Sequence, residues 1–93
     1  MSPRIVFTKS AFKHDVSDAD IMWALTHVMA YEDVEDTAND QMEARRYIGM
    51  AKPPSTTRLE IVASVDRKRQ VLVVFHAMEM RPKYQYLLDQ QWE

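Results

Sequence analysis

The chain has 93 residues, 46% of them hydrophobic and 28% charged, with one glycine and no cysteine. That is enough for a single domain, residues 1–93, with one core. It excludes a disulfide framework, a thiolate metal site and a low-complexity chain, and a formal net charge of −2 is by itself no footprint for nucleic acid.

Arg4 to Thr8 is short, β-branched and aromatic, and predicts a first strand. Lys9 to His14 predicts a helical turn or short helix. Ser17 with Asp20 forms a capping-box-like pair, and Val16 with Ile21 falls at the two positions of a hydrophobic staple. Ile21, Leu25 and Val28 follow helical spacing, so a helix is predicted from Ser17 to about Thr26. Trp23 lies off that stripe, either edging the core or facing a partner.

His27 to Tyr31 starts a strand. Tyr31 to Glu43 then carries six of the chain's fourteen acidic residues and no Lys or Arg, which predicts a loop. The remainder holds twelve bases against eight acids, a mildly basic scaffold. Arg45 to Met50 predicts a strand, and Gly49 within it marks a bulge or a close backbone approach. Pro53-Pro54 predicts a turn. Leu59 to Val65 is a strand with Leu59, Ile61, Ala63 and Val65 on one face. A charged hairpin loop, Asp66 to Gln70, leads into a last strand from Val71 to Met78. Pro82 opens a final helix to about Gln90, with Tyr84, Leu87, Leu88 and Gln91 on one face. The order predicts an α+β fold: an antiparallel sheet of about four strands, N-terminal helices and a C-terminal helix. No run is long and apolar enough to span a membrane and the N-terminus has no signal-peptide core, so a cytoplasmic protein with no membrane partner is expected.

No phosphate loop, nucleophile elbow or zinc-protease motif is present, and His14, His27 and His76 carry no ligand spacing, so neither a cofactor nor a metal is expected. Three basic or titratable clusters remain: Lys13-His14, Arg45-Arg46, and His76 with Arg81, Lys83 and Tyr84. Each has a plainer reading. Lys13-His14 suits a polar turn. Arg45-Arg46 suits an edge charge or an ion pair with the acidic stretch. Strand alternation puts His76 on the face of Leu72 and Val74, as a buried core histidine. Brought together, the same groups suit RNA cleavage. That reaction needs a base for the 2′-OH proton, cations for the phosphorane and an acid for the 5′-oxygen. Histidine serves as base or acid near neutral pH, and arginine clamps phosphate.

The order of these motifs carries a family resemblance from about Phe12 to Leu88. Lys13-His14-Asp15-Val16-Ser17 before a capped helix, Arg45-Arg46-Tyr47-Ile48-Gly49 in a strand, and the Val71–Ala77 strand followed by a basic segment and a helix near Tyr84 and Tyr86 resemble the BrnT-like toxins of the RelE superfamily. The first matches their KHGVS segment, with Asp15 in place of the glycine. The second matches their ERR-x-x-x-G strand. His76-Ala77-Met78 stands where that family has Ser-Ala-Arg, which leaves Arg81, from the next turn, to supply the arginine. The resemblance implies the toxin of a type II toxin–antitoxin system, a ribonuclease neutralised by a cognate antitoxin. RNA is then the substrate, free or on the ribosome, and operator DNA is reached only through the antitoxin. His14, Arg46, His76 and Arg81 take catalytic roles on this reading, and Lys13, Arg45, Lys83 and Tyr84 bind RNA. The alternative is a non-catalytic protein-binding module of the same fold. Seven methionines and two tryptophans suit an adaptable surface, with Trp92 as a partner contact.

Overall fold

The structure, a computed structural model, describes residues 4–34 and 43–90. Nine elements follow in order: β1 (Arg4–Phe7), a 3-10 turn (Lys9–Phe12), α1 (Asp18–Thr26), β2 (Val28–Val34), β3 (Glu43–Met50), β4 (Arg58–Asp66), β5 (Val71–Glu79), a second 3-10 turn (Pro82–Tyr84) and α2 (Gln85–Gln90). The fold is α+β, as expected, but its sheet has five strands in the order β1-β5-β4-β3-β2. It is mixed rather than antiparallel, because β1 pairs in parallel with β5. The helices also differ from expectation. The segment before α1 forms only a four-residue 3-10 turn with no side-chain cap. The last helix splits into a 3-10 turn and six α-helical residues.

Local chemistry accounts for α1. Ser17 accepts a hydrogen bond from the Asp20 N–H, satisfying one of the helix's orphan donors. The capping box is only half formed: the Asp20 carboxylate instead accepts from the Lys52 N–H, 3.0 Å away, and ties the helix to the turn after β3. Val16 packs on the core that contains Ile21, as a staple requires. Trp23 is half-buried and stacks on His27, ring centroids 4.2 Å apart.

The sheet buries both faces. On one, α1 and the first 3-10 turn bring Ala11, Ile21 and Ala24 against Leu59, Ile61, Ala63, Val74 and Ala77. On the other, α2 brings Tyr84, Leu87 and Leu88 against Ala30 and Ile48. Gln91 and Trp92 lie outside the described residues. Ile21 and Ile61 are fully buried, each stabilising the fold by about 1.5–3 kcal/mol relative to exposure.

Two departures from simple alternation shape the second face. The acidic stretch does not begin as a loop. Glu32 and Asp33 lie within β2, directly opposite Arg46 and Arg45, and cross-strand charge pairing extends the strand. Glu35, Asp36 and Asp40 lie outside the described residues. In β5, Val74 lies opposite Ala63 and His76 opposite Val62, so Phe75 is an extra residue, a β-bulge. The bulge turns His76 away from the face of Val74, where strict alternation had placed it.

Gly49 marks both features anticipated for it. The β2 register shifts between Val28 and Ala30, beside it in the sheet. A Cβ at Gly49 would stand 2.5 Å from the Ala24 carbonyl oxygen, so α1 rests on bare backbone. Gly49→Ala is expected to lift α1 from the sheet and destabilise the protein by about 1–3 kcal/mol, the usual cost of overpacking. Urea unfolding measures this. An unchanged midpoint would mean that the contact yields freely.

Candidate functional site

Glu60 is the centre of the second face. It points away from Leu59 and Ile61 and is completely buried. In register it lies between Ile48 of β3 and Met78 of β5. An ionised carboxylate in such a place needs dense hydrogen bonding. Arg81 supplies most of it. Its backbone N–H donates to Oε2 at 3.0 Å, its Nη2 to Oε1 at 2.6 Å, and its Nε lies 3.1 and 3.2 Å from the two oxygens. His76 Nε2 lies 3.0 Å from Oε1. The backbone delivers both partners. The bulge aims His76. Pro82 holds Arg81 extended, as the residue before a proline must be, and the Met80 N–H, bonded to the Arg58 carbonyl, fixes the approach.

Burial pushes the Glu60 carboxyl up, but the hydrogen bonds from Arg81 and His76 outweigh it, and the net shift is down. The Arg81 guanidinium is correspondingly raised by its bond to Glu60. Its side chain is 42% exposed, and Nη1 has no partner among the described residues.

Arg46 stands beside this group on β3. Its Nη1 donates to Glu32, whose other oxygen accepts from the Tyr86 hydroxyl at 2.6 Å. That bond raises the Tyr86 phenol. The Arg46 guanidinium lies 4.0 Å over the Tyr84 ring, with Arg81 at 5.4 Å and Lys83 Nζ at 5.1 Å from the same ring. Tyr84 is therefore a shared cation–π support. Between the arginines opens a cleft of about 400 Å³, lined by Val34, Ala44, Arg46, Val62, Phe75, His76 and Arg81. The His14 ring meets His76 edge-on, centroids 5.7 Å apart.

The four residues assigned catalytic roles thus form one chain of contacts: His14 to His76, His76 through Glu60 to Arg81, and Arg81 through Tyr84 to Arg46. Of those assigned to RNA binding, Tyr84 is buried beneath the cations and Lys83 is exposed beside it. Lys13 is exposed in the turn next to His14. Arg45 does not join them. Alternation along β3 sends it to the other face, where Asp33 holds it at 3.1 Å, it lies over the Tyr31 ring, and its guanidinium is raised by that carboxylate. A second cavity, about 370 Å³ at the β4–β5 hairpin, contains none of the proposed residues.

Sequence reasoning missed Glu60, Glu32 and Tyr86 as members of the site. Glu60 left a signal, a carboxylate inside the apolar run Leu59–Val65. Glu32 left a general one, the ion pair expected between Arg45-Arg46 and the acidic stretch, and the register of β2 singles out which acid meets Arg46.

The cleft offers two guanidiniums, each with a carboxylate partner, and the His76 imidazole, which the His14 ring meets from outside, over an apolar floor. Such a set leaves N–H donors that could receive an anion beside an imidazole with one ring nitrogen uncommitted. Because the Glu60 carboxyl is depressed, its stabilisation is present above the ordinary glutamate range and is lost as pH falls through its lowered value. Wild-type protein should therefore lose stability on acidification more steeply than Glu60→Gln, by chemical denaturation at stepped pH. At neutral pH the variant should cost about 1–3 kcal/mol, the price of imperfectly satisfied buried polar groups, since a half-exposed Arg81 regains water. Parallel pH profiles for the two proteins would count against an ionised Glu60. No protein-family model matches the chain, and comparisons with curated proteins and with solved structures found no match either.

Proposed function

We infer that the protein is the toxin of a type II toxin–antitoxin pair, of BrnT and RelE-like kind, and that its cleft cleaves RNA. The observation that carries this reading is the convergence of His76, Arg81 and Arg46 on one cleft, with the His14 ring set edge-on against His76 at its margin. Their chemistry matches 2′-OH attack on a phosphodiester. One histidine takes the 2′-OH proton as the O2′–P bond forms. Arg46 and Arg81 stabilise the charge of the phosphorane. The other histidine protonates the departing 5′-oxygen as the P–O5′ bond breaks, leaving a cyclic phosphate and a 5′-hydroxyl end. Asp15 adds support: at the position of the glycine in the resembled KHGVS segment, it adopts φ of 61°, the left-handed conformation that glycine serves best and aspartate tolerates. An antitoxin encoded beside the gene, cytoplasmic action and an operator reached only through the antitoxin complete the reading.

A second reading has an observation of its own. Glu32 and Glu60 already hold the two arginines, which reduces the positive field that RNA would meet. On that account the same fold is a non-catalytic module that binds protein.

Induction of this chain alone in a bacterial host separates the two. The nuclease reading expects growth arrest with new 5′-hydroxyl RNA ends. Arg46→Ala and Arg81→Ala should each lower cleavage by about 10²–10³-fold, the scale for losing one charge-stabilising group, with folding checked by circular dichroism. Lys68→Ala, in the exposed β4–β5 hairpin turn, should leave it intact. Normal growth with folded, soluble protein and no new ends would leave the binding module.

A further inference from the structure

His76 meets Glu60 through a single ring nitrogen, Nε2, at 3.0 Å. Arg81 is the other donor to that carboxylate, and Ile48 and Met78 flank Glu60 in the sheet register. An ionised carboxylate has no proton to donate, so the nitrogen that faces it must carry one. Glu60 is fully buried and cannot touch a bound RNA. Its effect on chemistry has to pass through the side chains it holds.

We propose that Glu60 is a positioning residue that fixes His76 as the Nε2-protonated tautomer, leaving Nδ1 as the one nitrogen of that ring able to take up a proton. The same carboxylate holds the Arg81 guanidinium at Nε and Nη2. One buried group therefore sets both the proton-carrying ring and the neighbouring cation. The tautomer follows from the hydrogen bonding alone; its use in cleavage rests on the nuclease reading.

Long-range ¹H–¹⁵N correlations of the histidine rings test this, at pH about 8.5, well above the ordinary histidine value. His76→Asn identifies the His76 signals by their loss. In the wild type, His76 should show a protonated Nε2 and a bare Nδ1. Oε1 accepts from both His76 Nε2 and Arg81 Nη2, so the variant that isolates the effect removes the acceptor altogether: in Glu60→Met nothing opposite the ring fixes its proton, and His76 should show both tautomers with a fast-exchanging ring N–H. A wild-type ring protonated at Nδ1, or a ring still held as one slowly exchanging Nε2–H tautomer in folded Glu60→Met, overturns the proposal. Should that variant fail to fold, the wild type still decides. Its His76 Nε2–H should exchange with water at least about tenfold more slowly than the ring N–H of exposed His14, and equal rates overturn the assignment. Intact RNA alongside the expected tautomer removes the nuclease reading and leaves the assignment standing. The opposite tautomer removes the assignment whatever the RNA shows.

Discussion

A carboxylate sealed inside an apolar sheet constrains everything around the cleft. Left alone, the Glu60 charge would cost several kcal/mol. The chain meets that cost with one arginine, used through backbone and side chain together, and one histidine. Both have to arrive from the segment that ends β5. That requirement explains why β5 is bulged at Phe75, why Arg81 is extended before Pro82, and why the chain turns immediately into the 3-10 segment that brings Tyr84 beneath the guanidiniums. Remove the charge, and none of these three features has a reason to sit where it does.

The neighbouring pair shows the same logic at lower stakes. Glu32 and Arg46 lie opposite each other on an edge strand and its partner, and Tyr86 closes the second carboxylate oxygen. The cleft is thus built from ion pairs on two levels, one fully buried and one partly exposed. Each pair is locally neutral. What remains for a ligand is not bulk positive charge but the directed N–H donors that the pairs leave over, held still by the partners they already have.

Much of the fold was legible in the chain because it is locally encoded. The Ser17 cap, the Val16–Ile21 staple, the alternation of Leu59, Ile61 and Ala63, and the hairpin at Asp66–Gln70 depend on residues a few positions apart, and all are found. What was not legible depends on partners far away in sequence. No residue in Arg4–Phe7 announces parallel pairing with β5. Nothing in Val71–Phe75, five apolar residues in a row, marks which one the sheet will leave unpaired, and so the face of His76 came out reversed. Alternation required one of Arg45 and Arg46 to leave the core side but could not say which served the cleft. Glu60 was visible as an oddity, a charge within an apolar strand, yet its partners became apparent only with the register.

The parallel pairing of β1 has a consequence for the order of events in synthesis. Strands β2 to β5 each meet a sequence neighbour and can form as a meander of short-range hairpins. Arg4, by contrast, waits for Val71. Of the five described strands, β1 is made before the others yet pairs only with the one made last, and closing that long loop is the slow, entropically expensive kind of contact. Until β1 docks, β5 is an open edge, its backbone groups free to recruit another strand. A nascent chain therefore passes through a stage at which the cleft-bearing strand is made but unprotected, and whatever binds it then meets an edge that the finished molecule no longer offers there.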